Sequence, residues 1–205
     1  AVGIVFKMEA IGDDVPANYP VALQSKTIVG YAVAIENVAA GRQSLNPDGV
    51  LTNLVETAAS MTNGTQITEA LLTSIGDVAF KTTYEKWVGE HSLSSENLSA
   101  WYIPTLSQLS AFMGTLFTMK EIPATGSEDF RNMSEFEFVN GKMFDRETIA
   151  TVNYASSTIN NQGNVSGVRI NVADGVVTNA QEAGISVKTA LNQQALCRPM
   201  ITIFK

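Results

Sequence analysis

Trp101-Tyr102-Ile103-Pro104-Thr105-Leu106-Ser107-Gln108-Leu109-Ser110-Ala111-Phe112-Met113-Gly114-Thr115-Leu116-Phe117 is the stretch whose reading decides the fold. It reads as the end of a strand that turns at Pro104 straight into a helix. Thr105 is placed as an N-cap, and Gln108 follows at the spacing of a capping box. Leu106, Leu109, Phe112, Met113, Leu116 and Phe117 then recur at helical intervals and predict one apolar face. The segment speaks to architecture and carries no chemistry of its own.

Toward the N-terminus, the β-rich run Val2 to Met8 predicts a first, well-buried strand. Gly12, Asp13, Asp14 and Pro16 mark a loop. Tyr19 to Gln24 fits a short strand that Pro20 confines to an edge or a start, and Tyr31 to Val38 a better one. Asp48 is placed to cap a helix with the stripe Leu51, Leu54, Val55 and Ala58. After the Asn63-Gly64 turn signal, Ile67, Leu71, Leu72 and Ile75 predict a second helix. Gly76 breaks it, and Asp77 is expected to cap a third along Phe80, Tyr84, Trp87 and Val88. Residues 90–99 form a surface loop.

Toward the C-terminus, residues 121–134 are loop-like, and Phe136 to Val139 predicts a short strand before the Asn140-Gly141 turn. Ile149 to Ser157 predicts a strand, Asn160 to Asn164 a polar tip, and Val165 to Val172 its return. Ala173-Asp174-Gly175 is a hairpin-type turn leading to Val176-Val177, and Arg198 to Phe204 closes the chain as a strand. Helices between terminal strands, without βαβ alternation, indicate an α+β fold. The length of 205 residues suits a single domain over 1–205.

Apolar residues make up 45% of the chain, enough for a core, while charged residues are only 16%. Ser, Thr, Asn and Gln replace charge on the surface, a composition typical of secreted and cell-surface proteins. A net charge of −7 and a pI near 4.7 argue against nucleic acid, whose phosphates need a basic face. No apolar run reaches the roughly 18 residues of a membrane span, and no signal peptide is visible. The start at Ala1 suggests a processed or trimmed end. The single cysteine, Cys197, excludes an internal disulfide and reads as a buried small hydrophobe.

Catalytic constellations are scarce. His91 is the only histidine and reads as solvated in a surface loop, which leaves a Ser-His-Asp triad without support. Gly163-Asn164-Val165-Ser166-Gly167 places its serine one residue late for a nucleophile elbow. Phosphate-binding glycine loops are absent. Asp13-Asp14 and Glu135/Glu137 are the nearest carboxylate pairs, and the second reads as a solvent face. Trp87, Trp101 and Tyr102 offer a sugar platform on one reading and core packing on the other, and core is the expectation. Asn-x-Ser/Thr sequons at Asn63, Asn97, Asn132 and Asn164 hint at exposed loops. The amides of Asn160, Asn161, Gln162 and Asn164 are the candidate ligand-binding residues, because a rigid β tip presents good hydrogen-bonders for sugars or peptides. An ordinary solvated loop is the competing reading.

Several stretches in order carry a resemblance: Gly3-Ile4-Val5-Phe6, Asp48-Gly49, Trp101-Tyr102-Ile103-Pro104-Thr105 with Leu109, Tyr154-Ala155-Ser156-Ser157-Thr158, and Arg198-Pro199-Met200. Together they resemble the C-terminal domains of fimbrillin-like and other surface lipoproteins of gut anaerobes. Those domains distantly resemble the formylglycine-generating-enzyme and C-type lectin group. Ala155 stands where that pattern usually has tryptophan, and Gln108 where it often has glutamate. The resemblance implies an irregular C-type lectin-like fold with helices in the first half, β-hairpins in the second, paired terminal strands and an insertion at 9–30. Formylglycine chemistry does not carry over, because it uses two cysteines. Calcium-dependent sugar binding does not either, because the Glu-Pro-Asn, Gln-Pro-Asp and Trp-Asn-Asp triplets are missing.

These readings lead to a non-enzymatic module at the cell surface or outside the cell, without cofactor or metal, that binds a glycan or surface protein through its loops. A fimbrial or outer-membrane subunit that assembles by strand pairing is the alternative. A carboxylate-dependent hydrolase ranks below both.

Overall fold

The computed structural model describes residues 3–45, 51, 64–118, 151–171, 186–188 and 194–205. Strand β1 is Gly3–Lys7; one 3-10 turn at Pro16–Asn18 and helix α1, Val21–Gln24, follow it. Strand β2 is Ile28–Ala34, and the helices α2, Gly64–Ser74, α3, Ala79–Glu90, and α4, Leu106–Thr118, come next. Strands β3, Thr151–Ile159, β4, Val165–Asn171, β5, Ser186–Lys188, and β6, Met200–Phe204, complete the described elements. Two small antiparallel sheets result, ordered β1-β2-β6 and β3-β4-β5. The architecture is α+β.

Through Met113 the organising segment behaves as its sequence reads, while the side chains of Leu116 and Phe117 lie outside the described residues. The Thr105 backbone N–H donates to Gln108 Oε1 at 3.0 Å, and the Gln108 N–H donates to Thr105 Oγ1 at 3.3 Å. This reciprocal capping box satisfies two of the four orphan donors at the start of α4. Thr158 on β3 supplies a third acceptor, to the Leu106 N–H at 2.9 Å. Upstream, Tyr102 bridges to Met200 in antiparallel fashion, and residues 97–102 run along the outer edge of β6.

β2 is the hinge of the packing. Its side chains alternate between two cores, as strand geometry requires. Ala32 and Ala34 face a core with Leu71, Phe80, Tyr84, Trp87, Trp101 and Ile201. Tyr31 and Val33 face a second core with Tyr19, Leu23, Tyr102, Leu109, Phe112, Met113 and Phe204. Fully burying each large apolar side chain is worth about 1.5–3 kcal/mol, so a strand buried on both faces anchors both cores.

Several expectations need correction. The terminal strands β1 and β6 do not pair; both flank β2, because β2 is the strand with two buried faces. β1 is an edge strand with Val5 47% exposed, not a well-buried one. Tyr19 to Gln24 is not a strand: Pro20 opens the single turn α1, closed by the Leu23 N–H to the Pro20 carbonyl at 2.8 Å. The second strand is Ile28–Ala34 and ends before Val38. Asp77 does not cap α3; Val78 holds that position without a side-chain cap bond. Gly76, at φ 65°, ends α2 in the left-handed conformation, and Asp77 lies fully in solvent, 3.9 Å from Lys81.

The helix expected after Asp48 lies outside the described residues, Leu51 excepted. So do residues 121–134, the strand Phe136 to Val139, the Asn140-Gly141 turn, Glu135/Glu137, the Ala173-Asp174-Gly175 turn with Val176-Val177, and the sequons at Asn63 and Asn132.

Candidate functional site

Asn160 to Asn164 form the tip between β3 and β4, held by a small bonding system. Asn160 Oδ1 accepts the backbone N–H groups of Gln162 and Asn164, both at 2.9 Å. The Asn160 N–H donates to the Asn164 carbonyl at 2.9 Å and the Gly163 N–H to the Asn160 carbonyl at 2.8 Å. Gly163 sits at φ 76°, a conformation that glycine adopts without strain. From below, the Leu51 N–H donates to the Gly163 carbonyl at 2.7 Å. The four candidate amides thus divide. Asn160 uses its side-chain oxygen inside the turn, Asn164 is half-buried, and Asn161 and Gln162 are exposed.

A second constellation, which sequence reading did not assemble, lies under residues 9–25. Asp14 is only 4% exposed. Its Oδ2 accepts the hydroxyls of Tyr19 at 2.5 Å and Tyr31 at 2.7 Å, and its Oδ1 accepts the Asn18 amide at 3.0 Å. Tyr19 spends its one proton on Asp14, so Thr202 donates in the 2.8 Å bond between them. Tyr102 in turn donates to Thr202 at 2.9 Å and accepts from Gln108 Nε2 at 3.2 Å. A directed relay therefore runs from the α4 capping box through β6 to Asp14. Buried tyrosine hydroxyls need such partners. Burial pushes the Asp14 carboxyl up from its ordinary value, against the hydrogen bonds from Tyr19, Tyr31, Asn18 and the Val15 backbone. Burial also pushes the Tyr19, Tyr31 and Tyr102 phenols well up, so they remain donors. The only advance signal was the choice of tyrosine over phenylalanine at apolar positions far apart in sequence.

The other singled-out residues take structural places. Trp87, Trp101 and Tyr102 are 5%, 5% and 1% exposed, so these three rings are core and offer no platform for a sugar. His91 is not simply solvated. Its ring stacks on Trp87 with centroids 4.1 Å apart, Nδ1 lies 2.8 Å from the Trp87 carbonyl, and Nε2 lies 3.1 Å from Glu36 Oε1. Cys197 is buried, and desolvation pushes its thiol up to about 12 despite the opposing charge of Arg198. That places it far from the reactive thiolate range. Ser166 is buried, and its carbonyl accepts the Ser156 hydroxyl at 2.8 Å. Asn97 Oδ1 accepts from Lys26 at 2.7 Å.

Among the described residues, no three His, Cys, Asp or Glu side chains come together in a metal-holding group. No helix of the described residues is long and apolar enough to cross a membrane. Comparison of the chain with protein-family models, curated proteins and solved structures finds no match.

Proposed function

We propose that this chain is a non-enzymatic surface module of irregular C-type lectin-like kind that holds a glycan or protein ligand through its loops. The observation that carries the reading is the β3–β4 tip. Its turn is stiffened by Asn160, so Asn161 and Gln162 are held in solvent with their amides on a backbone that loses little freedom on binding. A pre-ordered turn of amides suits sugar hydroxyls or peptide groups, because the ordering cost is met on folding. The resemblance of its sequence stretches to fimbrillin-like surface lipoproteins is what suggests a module outside the cell, in an adhesin or fimbria-associated protein. The buried Ser156, Ser157 and Ser166, Cys197 and the Asp14 relay are held by packing and hydrogen bonds inside the fold, which supports reading them as structural and not as catalytic.

The test is a binding screen of the purified chain against host glycans, mucins and bacterial polysaccharides, with and without chelator. The expected result is a specific signal that survives chelator and drops at least tenfold, about 1.4 kcal/mol, in the Asn161→Ala/Gln162→Ala double variant. A signal unaffected by that variant would move the site elsewhere.

A second reading, a structural subunit that assembles by strand pairing, is favoured by β1. Among the described residues β1 has a strand neighbour only in β2, whereas the far edge of β6 is lined by residues 97–102. Edge strands invite such pairing. Sedimentation of a larger species, dispersed by Val5→Lys, would favour this alternative.

A further inference from the structure

Residues 35–45, which follow β2, are fastened on one side to the C-terminal run and on the other to α3. Toward the C-terminal run, the Val38 N–H donates to the Cys197 carbonyl at 3.0 Å, and Gln43 and Ala195 exchange two backbone bonds at 2.9 Å. Asn37 Oδ1 accepts from Arg198 Nε at 2.8 Å. Toward the helix, Gln43 Nε2 donates to Thr83 Oγ1 at 3.2 Å, and Glu36 Oε1 lies 3.1 Å from His91 Nε2. Of these two links to α3, the second runs through a base that gains and loses a proton near neutrality.

His91 is the C-cap residue of α3 and is half-buried. Both of its ring nitrogens face acceptors. Nδ1 lies 2.8 Å from the Trp87 carbonyl, which only accepts, and Nε2 faces the Glu36 carboxylate. An imidazolium carries two N–H groups and satisfies both. A neutral imidazole carries one and turns a lone pair toward the other acceptor. Two further features favour the cation. The ring lies flat over Trp87, with planes 13° apart and centroids at 4.1 Å, where a positive charge is attracted by the indole face. It also stands at the negative end of the helix dipole. Among the described residues, the charged groups beside it are Glu36 from the β2 side and Glu90 on α3, which lies 3.8 Å from Lys86. Arg42 belongs to the 35–45 segment, further along it. The third neighbour, Trp101, is neutral; its Nε1–H donates to the His91 carbonyl at 2.7 Å.

We propose that His91, as the imidazolium, is an acid-strengthened clasp that joins the C-terminal end of α3 to the segment after β2 through Glu36. The sign follows from the donor count. The closed clasp offers the added proton an acceptor that the open one does not, so protonation and closure favour each other. The added grip is complete in acid and is lost as pH rises through the histidine range, about pH 5 to 8. In base the ring keeps one of its two bonds, and the connection between helix and segment loosens.

The experiment is urea unfolding of the whole chain at pH 5.5 and pH 8.0 for the wild type, Glu36→Gln, His91→Phe and the double variant. The lower pH lies between the ordinary glutamate and histidine values, about 4.3 and 6.5. His91→Phe keeps a ring over Trp87 and removes the proton. The expected result is a coupling between the two positions of about two- to fivefold in the folding equilibrium at pH 5.5, shrinking toward none at pH 8.0. If His91→Phe does not fold, Glu36→Gln alone decides, and its loss against the wild type is larger at the lower pH. Coupling that is absent at both pH values, equal at both or larger at pH 8.0 overturns the proposal, as does an equal loss in Glu36→Gln at both.

Discussion

Gly64 opens α2 against the face of Tyr102: a Cβ there would lie 2.5 Å from two ring carbons and 2.6 Å from Gln108 Oε1. The ring cannot yield, because its hydroxyl is bonded to Thr202 and Gln108. Gly64→Ala should therefore destabilise the protein by about 1–3 kcal/mol through overpacking, although glycine is ordinarily a poor helix residue. Gly89 in α3 has nothing within 4 Å of a built Cβ, so Gly89→Ala should be neutral or stabilising by up to about 1 kcal/mol. Urea denaturation of the two variants side by side checks the contrast. At this scale the capping box of Thr105 and Gln108 was legible, because its rule is local and four residues long. The partnership of Asp14 with Tyr19, Tyr31 and Thr202 was not. Nothing in sequence links positions separated by as many as 183 residues.

Among the elements, the β3–β4 hairpin allows stability and binding to be separated. Asn160→Ala leaves two backbone N–H groups at the tip without their side-chain acceptor and should cost about 1 kcal/mol, while Asn160→Asp keeps both bonds and should cost less. Substituting Asn161 or Gln162 with alanine should leave the melting temperature unchanged within error. Thermal melts of the four variants test this; equal losses at Asn160 and Asn161 would contradict the division of roles. Helices α2, α3 and α4 were readable from apolar spacing, and Leu71, Phe80, Tyr84, Trp87, Leu109 and Phe112 are all buried as that spacing demands. The stretch from Tyr19 to Gln24 reads as a strand in the sequence and is not one. Its apolar residues suit a strand, but the hydrogen bond of Tyr19 to Asp14 and the turn at Pro20 fold it into a short helix instead.

For the molecule as a whole, the sharing of β2 and β6 by both cores predicts a single cooperative unfolding transition over the described fold. Trp87 and Trp101 report one core, and four of the five tyrosines, Tyr19, Tyr31, Tyr102 and Tyr154, lie in the other, with Tyr84 beside the tryptophans. Tryptophan fluorescence and tyrosine near-ultraviolet dichroism should therefore give coincident denaturation curves; separated midpoints would mean that the cores unfold independently. Sequence by itself determined the α+β character, the helical middle, the capped start of α4, the polar hairpin tip and the burial of Cys197. Each of these follows from short-range periodicity, turn chemistry or hydrophobicity. Only the tertiary structure decided that β2 separates β1 from β6, that Asn160 serves the turn rather than solvent, and that Asp14 is buried in a phenol relay. Strand order depends on which strand can bury both faces. The place of a polar side chain depends on which distant donors the packing brings to it.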